Sequence, residues 1–252
     1  MYDTVVLKLL KEDIGDKYDW RSVFNKIDQT SEYKQVEGGS GHINGLRVSV
    51  TEKHVRVTGS LSKYFRGTNL DSLTLSQVEK AIKQLGKELG VPMIEADVER
   101  VDMAENFEMS RPPEFYISKM QSLGECCPNK WKGTTYFPSN GVLLRFYDKS
   151  KEVRKKRKNQ KNTPGAFSTS VEQNLLRYEI CFGKKAIRRM FGHQLKAKDL
   201  YDKDIFWRLV SEWLYSYDEI GIISDKLFDV SFEQIKTLSD FEEWCIATVS
   251  YT

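Results

Sequence analysis

Three stretches of the chain alternate between apolar and charged side chains with a period of two residues. They are residues 98–108, 144–149 and 176–182. Because successive side chains of a β-strand point to opposite faces, each stretch predicts a strand with one apolar face and one charged face. Strands of this kind restrict the fold to a sheet that is buried on one side.

The charged faces of the three predicted strands carry acids, an amide, a phenol, a thiol and bases. In chain order these side chains are Arg100, Asp102, Asn106 and Glu108, then Arg145, Tyr147 and Lys149, then Arg177, Glu179 and Cys181. One interpretation is that these faces simply meet water, as in any half-exposed antiparallel sheet. The other is that they converge on one site, since every face combines an arginine with an acid or a tyrosine.

Convergence of the three faces would assemble the chemistry of phosphoryl transfer to a tyrosine. Clustered carboxylate and amide oxygens suit Mg²⁺ or Mn²⁺, and such a cation offsets charge at a reacting phosphate. The candidate ligands are Asp102, Glu179, Asn106 and Glu108. Tyr147 would be the nucleophile, and Lys149 would lower the cost of forming the phenolate or stabilise the transition state.

The net charge of +3 hides a strongly basic segment. Residues 149–161 contain eight Lys or Arg and one acid, so the rest of the chain carries 31 basic and 35 acidic residues. Such a run is typical of a phosphate-contact patch, and a solvated loop is the ordinary alternative. Its position next to Tyr147 favours phosphate contact. The candidate DNA contacts are Arg145, Lys151, Arg154, Lys155, Lys156, Arg157, Lys158, Arg100 and Arg177.

The remaining patterns predict an α+β fold with a mostly antiparallel sheet, helices on one face and a helical C-terminal part. We expect strands at 4–9, 46–50, 54–58, 142–148 and 175–182, and helices at 75–89, 112–123, 186–190, 202–217 and 232–245. Residues 12–45, with Gly38, Gly39 and Gly41, are predicted to form a flexible loop with one short helix at most. We place a catalytic domain with the central sheet at 1–185 and a helical region packed on it at 186–252.

The sequence does not predict a membrane-spanning protein, a protein with a signal peptide, or a metal site built from cysteine or histidine. The chain has no run of 18 apolar residues, no basic and apolar leader at its N-terminus, and no metal-ligand spacing among its four cysteines or three histidines. These features predict a protein with reduced thiols in the cytoplasm, without a membrane span.

Five short stretches resemble the phage and plasmid replication initiator family typified by the filamentous-phage replication endonuclease. They are YDTVVLKL, RVTGSLSKYFRGTNLDSLT, ERVDMAENFEM, LLRFYDKSKEV and LLRYEICF, which begin at residues 2, 56, 99, 143 and 175. The resemblance runs in a consistent order from about residue 2 to residue 220. Each motif is short, and the order of the five makes the resemblance fairly specific.

The resemblance implies a ferredoxin-like nickase that initiates rolling-circle replication. Such proteins nick one strand of an origin with a tyrosine, remain joined to the 5′ phosphate, and later close the displaced circle. The family's nucleophile falls on Tyr147, its following lysine on Lys149, and its acidic positions on Asp102 and Glu179 as metal ligands. Many relatives of the wider class use a pair of histidines, which this chain lacks, so either its Mg²⁺ or Mn²⁺ site is built mostly from oxygen ligands or its metal binding is weak.

The same resemblance implies partners and a location. We expect origin DNA, single-stranded or in a hairpin at the nick region, a host helicase, no membrane, and the cytoplasm of a bacterial host cell; a homodimer is compatible with this role. Two alternatives stay open at this point: a non-catalytic DNA-binding replication regulator, for which Tyr147 would be dispensable, and a conjugative relaxase, which shares the chemistry and acts on a transfer origin.

Overall fold

A computed structural model describes residues 1–15, 18–33, 37–70, 72–160 and 174–223, with the backbone alone over 155–160. The helix predicted at 232–245 and Lys161 of the basic segment lie outside these residues. No helix in the described part of the chain is both long and apolar enough to cross a membrane.

The described chain folds into twelve strands and eight α-helices. The strands are β1 Tyr2–Leu10, β2 Asp28–Glu32, β3 Gly38–Ile43, β4 Leu46–Thr51, β5 His54–Ser60, β6 Asp97–Met109, β7 Met120–Leu123, β8 Asn129–Trp131, β9 Thr134–Ser139, β10 Val142–Asp148, β11 Asn174–Gly183 and β12 Ile220–Ile222. The helices are α1 Lys11–Ile14, α2 Trp20–Phe24, α3 Leu61–Arg66, α4 Leu75–Leu89, α5 Pro113–Ile117, α6 Lys149–Gln160, α7 Lys184–Phe191 and α8 Lys203–Asp218, with short 3₁₀ turns at Met93–Glu95 and Ala197–Tyr201.

Ten strands form one antiparallel sheet in the order β2-β3-β4-β5-β1-β6-β11-β10-β9-β8, and β12 and β7 form a second, two-stranded sheet. This confirms the predicted α+β class, its antiparallel sheet and its helical C-terminal part. The strands predicted at 4–9, 46–50, 54–58, 142–148 and 175–182 and the helices predicted at 75–89, 186–190 and 202–217 are all present, within a few residues.

The apolar face of the large sheet is covered by helices. Tyr178 of β11 stacks on Phe146 of β10 with ring centroids 4.6 Å apart, and its hydroxyl donates a hydrogen bond to the carbonyl oxygen of Trp213 in α8. Phe107 of β6 stacks on the same tryptophan. The apolar stripe of α4, from Val78 to Leu89, is buried in the same core. The helices thus leave the opposite, charged face of the sheet for a site.

The prediction of a flexible loop over 12–45 was wrong, because this segment contains α1, α2, the edge strand β2 and its neighbour β3. Gly39 and Gly41 are buried strand residues. A Cβ on Gly39 would lie 2.5 Å from the ring of Phe24, and one on Gly41 would meet the carbonyl oxygen of Asp28. The glycines are therefore required for close packing, whereas a composition rich in glycine is typical of loops.

The helix predicted from Pro112 to Leu123 is shorter than expected. It ends at Ile117, and residues Met120–Leu123 form β7 instead. This strand pairs with β12, almost a hundred residues further along the chain, with Leu123 opposite Ile220. Local spacing carries no information about such a partner, so the sequence pattern alone predicts a longer helix.

A candidate active site on the open face of the sheet

Strands β6, β11 and β10 are neighbours in the sheet, and their registers bring the three charged faces together. Arg145 of β10 lies opposite Glu179 of β11, which lies opposite Ala104 of β6. Two residues along β10, Tyr147 lies opposite Arg177, which lies opposite Asn106. Cross-strand partners point to the same face of a sheet. The side chains that the alternation singled out therefore share one face.

A cluster of acids and guanidinium groups lies at the centre of this face. The carboxylate of Asp102 is fully buried and accepts hydrogen bonds from Arg100, at 2.7 Å from Nε to Oδ1. It also accepts one from Arg145, at 3.0 Å from Nη2 to Oδ2, and Arg145 donates a second bond to Glu179. Arg145 thus bridges two buried carboxylates, and its positive charge offsets their mutual repulsion.

The protonation of this cluster is set by burial. Burial raises the pKa of Glu179 to about 7, against the attraction of Arg145, and the neighbouring Asp102 raises this pKa further. Burial together with Asp102 also raises the pKa of the Cys181 thiol to about 12. Glu179 therefore exchanges its proton near neutral pH, while Cys181 stays a neutral thiol.

The phenol of Tyr147 adjoins Glu179. Its Oη donates a hydrogen bond to Oε2 of Glu179 at 3.5 Å, and the side chain is half-buried. Burial raises the pKa of the phenol, and the nearby Arg177 only partly opposes this effect. The phenol is neutral at physiological pH, so a reaction through its oxygen needs a group that accepts its proton.

Arg177, which lies opposite Tyr147 on the neighbouring strand, is held in a buried network. Its Nη2 lies 2.6 Å from Oδ2 of Asp3, and its Nη1 donates to Oδ1 of Asn106 at 2.9 Å. Asp3 also accepts hydrogen bonds from Ser60 and Asn69. A register shift between Tyr2 and Val5 inserts one extra residue in β1, so Asp3 faces this network while Tyr2 and Val5 belong to the core.

Sequence reasoning missed Asp3 and Asn69. Both lie in stretches that carried the family resemblance. They lie outside the three alternating stretches, so the pattern did not indicate them as partners of Arg177. The contact between Asp3 and Arg177 joins residues 174 positions apart. Only the sheet order, with β1 beside β6 and β6 beside β11, brings them together.

Lys149 does not continue the strand of Tyr147, as its period-two placement assumed, because α6 begins at this residue. Its ammonium group is buried, donates to Oε2 of Glu152 at 2.6 Å and lies 3.5 Å from Oδ1 of Asn69. Burial lowers the pKa of Lys149, against the effect of Glu152. Lys149 therefore joins the network around Asn69 and Arg177 from the helix side.

The candidate DNA contacts fall into three groups. Arg100 and Arg145 are partly exposed and bonded to the central carboxylates, and Arg177 is buried. Lys151 and Arg154 reach solvent from the first turns of α6, where Lys151 also pairs with Glu114. The others lie on α6 over residues whose backbone alone is described; they are Lys155, Lys156, Arg157 and Lys158.

The four candidate metal ligands do not come together as a set. Asp102 and Glu179 adjoin, but the amide of Asn106 is bonded to Arg177 and to the carbonyl oxygen of Leu70, and Glu108 is exposed near the end of β6. Among the described residues, no three His, Cys, Asp or Glu side chains are grouped to hold a metal. Arg100 and Arg145 are bonded to these carboxylates, so a divalent cation at Asp102 and Glu179 would have to displace Arg145.

Comparison with known proteins gives one family. The model of the Phage_CRI family, described as the N-terminal part of a replication-associated protein, matches residues 1–213, which include the whole of the site. No curated protein matches the chain at a significant level.

Proposed function

The chain belongs to the Phage_CRI family of phage replication initiators, and from that premise we propose that it nicks and rejoins one strand of origin DNA through Tyr147. Its role lies in the initiation of phage replication. The proposal adds the reaction: a DNA nicking and closing endonuclease that starts rolling-circle replication through a 5′-phosphotyrosyl intermediate.

One observation carries the proposal. The hydroxyl of Tyr147 is hydrogen-bonded to Glu179 on the open face of the sheet, with the guanidinium groups of Arg145 and Arg177 beside it. A nucleophile next to a group that can take its proton is the minimum arrangement for covalent catalysis. The cations nearby suit an anionic phosphodiester and the additional charge that develops on it in the transition state.

The step follows from these positions. The proton of the Tyr147 hydroxyl passes to the Glu179 carboxylate as Oη attacks the phosphorus atom. The bond from phosphorus to the 3′ oxygen breaks, and this oxygen takes a proton from solvent and leaves as the free 3′ hydroxyl. The 5′ phosphate stays on Tyr147. In the closing step, a 3′ hydroxyl gives its proton to solvent as it attacks the phosphotyrosine. The bond from phosphorus to Oη of Tyr147 breaks, and Oη takes back the proton that Glu179 holds.

Arg145 and Arg177 differ in what they supply. Arg145 has about a quarter of its side chain exposed, so it can turn from the carboxylates toward a phosphate. Arg177 is buried and its orientation is fixed by Asp3, so it supplies a fixed positive charge next to Tyr147. We therefore assign Arg145 to the phosphate and Arg177 to the electrostatics of the phenol, where it favours the phenolate.

The Mg²⁺ or Mn²⁺ requirement implied by the resemblance is a separate proposal. Asp102 and Glu179 would be its ligands only after Arg145 leaves them, and the proton transfers between Tyr147 and Glu179 do not depend on the cation. When bound, a divalent cation would offset charge at the reacting phosphate.

The test is a nicking assay on supercoiled plasmid that carries the phage origin, with Mg²⁺ or Mn²⁺ present. We expect wild-type protein to relax the plasmid and to become linked to DNA at a peptide that contains Tyr147. Tyr147→Phe should give neither product. Tyr136→Phe is the matched control, since Tyr136 lies on the next strand opposite Arg145. Equal products from wild type and Tyr147→Phe would contradict the role of Tyr147, and no product from the wild type would favour a protein that only binds DNA.

A further inference from the structure

The hairpin of β8 and β9 carries an exposed tryptophan in line with Tyr147. Trp131 of β8 lies opposite Thr134 of β9, and Thr134 lies opposite Tyr147 of β10. The three residues therefore form one cross-strand row on the same face of the sheet. Two strand spacings separate Trp131 from Tyr147, which is roughly 10 Å.

The side chain of Trp131 is exposed to solvent on a hairpin whose turn is tightly defined. Its side chain is 62% exposed, the highest value among the large hydrophobic residues described as exposed. Lys132 and Gly133 form the turn of the hairpin with φ angles of +48° and +77°, which is the tight turn that matches the twist of paired strands. Such a turn fixes the direction of the strand that bears Trp131. An aromatic ring this exposed gains nothing from the core of the protein.

The charge next to the ring favours a nucleic acid. The ammonium group of Lys132 lies 4.4 Å from the centre of the Trp131 ring. A cation therefore lies next to a ring that offers a flat apolar surface. An indole paired with a lysine on an open polar face matches the combination of stacking and charge by which proteins hold unpaired DNA.

We propose that Trp131 is the stacking platform for an unpaired base of the DNA strand whose phosphodiester Tyr147 attacks. The proposal rests on the proposed function, because it assigns the occupant of the same face. A strand that crosses from β10 toward β8 would place its phosphate at Tyr147 and a neighbouring base on the indole. Lys132 contacts the backbone of that nucleotide. Trp131 is thus a positioning residue, which keeps the DNA strand unpaired at the nick site.

A second exposed tryptophan provides the control. Trp207 is 54% exposed on α8, which packs on the opposite, apolar face of the sheet through Trp213. Its substitution removes an indole of similar exposure without altering the row that contains Tyr147. Both variants should keep the circular dichroism spectrum of the parent, since neither ring is part of the core.

The experiment measures DNA binding in the Tyr147→Phe protein, which cannot nick under the proposed function. The probes are an oligothymidylate of about 12 nucleotides, within the usual site sizes for single strands, and an abasic chain of the same length. We expect Trp131→Ala to weaken binding of the oligothymidylate by about 5- to 100-fold and to leave binding of the abasic chain unchanged. Trp131→Phe should retain most of the affinity, and Trp207→Ala all of it.

Intrinsic tryptophan fluorescence supplies a second readout. Oligothymidylate should quench the parent and Trp207→Ala, and the quenching should be lost in Trp131→Ala. Unchanged affinity in Trp131→Ala, or an equal loss on the abasic chain, overturns the proposal. The binding comparison needs no cleavage, so a negative result there contradicts the stacking proposal and does not affect the nicking proposal. A negative nicking assay contradicts the nicking proposal and does not change the binding result.

Discussion

Arg177 Nη2 lies 2.6 Å from Asp3 Oδ2, and both side chains are buried. The pair ties β1, the first strand of the chain, to β11 in the centre of the site. Burial raises the pKa of Asp3, but the attraction of Arg177 and the hydrogen bonds from Ser60 and Asn69 outweigh it and hold that pKa below its usual value. The ionised pair is therefore part of the folded state.

Asp3→Asn should destabilise the protein by about 3–5 kcal/mol at pH 7, because it removes the nearest counterion of the buried Arg177 and leaves only the longer contact with Glu179, at 3.7 Å. Urea unfolding measures the change. Glu95→Gln is the control, since Glu95 pairs with Lys198 on the surface at 2.8 Å and should cost less than about 1 kcal/mol. Equal losses from the two variants would contradict a special role for the buried pair.

The same pair predicts a pH dependence. A carboxyl group whose pKa is lower in the folded state than in the unfolded one stabilises the fold above its unfolded pKa, and this contribution is lost as the pH falls through the folded pKa. The stability difference between wild type and Asp3→Asn should therefore shrink below about pH 4. A difference that stays constant under acid would show that the ionisation of Asp3 is not what stabilises the fold.

The extent of sequence-based prediction differs among the elements of this site. The alternation of β6, β10 and β11 predicted which side chains face the open side, since strand period is a local property. It could not predict that Asp3 pairs with Arg177, because this contact depends on a bulge in β1 and on the order of strands in the sheet. The alternation also continues past Asp148 and so predicts a strand position for Lys149, although the helix begins there. The local pattern indicates the face of the sheet on which a side chain lies. The pairing of strands that are distant in sequence decides which of these side chains come into contact.

Glu179→Gln should lower the nicking rate by at least about 100-fold, because an amide cannot accept the proton of Tyr147. In the wild type, the ionised carboxylate is the active form, and burial raises the pKa of Glu179 to about 7. The rate should thus rise with pH through about 7 and level off above it. Single-turnover nicking across this range measures the profile. Glu99→Gln, on β6 and paired with Arg56, serves as the control. A Glu179→Gln protein with the wild-type profile would exclude Glu179 as the base.

Arg145→Ala should increase the affinity of the free protein for Mn²⁺, because it removes the positive charge that lies between Asp102 and Glu179. Two adjacent carboxylates without a cation repel each other and favour a divalent ion. Isothermal titration with Mn²⁺ measures the gain, and Asp102→Asn in the same background should abolish it. Equal affinities in wild type and Arg145→Ala would remove these two carboxylates as the site of the proposed cation.

The basic helix α6 begins two residues after Tyr147, so its cations are the nearest dense positive charge to the proposed nick. Replacing Lys155, Lys156, Arg157 and Lys158 by Gln should weaken binding of single-stranded DNA and flatten its salt dependence. The slope of log affinity against log salt should fall by about 0.7 for each phosphate that the variant no longer neutralises. The matched control replaces the four cations of α7, which follows the far end of β11; they are Lys184, Lys185, Arg188 and Arg189. Tyr147 lies opposite Arg177, and the six further residues of β11 up to Gly183 span roughly 20 Å. DNA held at Tyr147 therefore reaches α6 before α7, and an equal change of slope from the two sets would contradict this path.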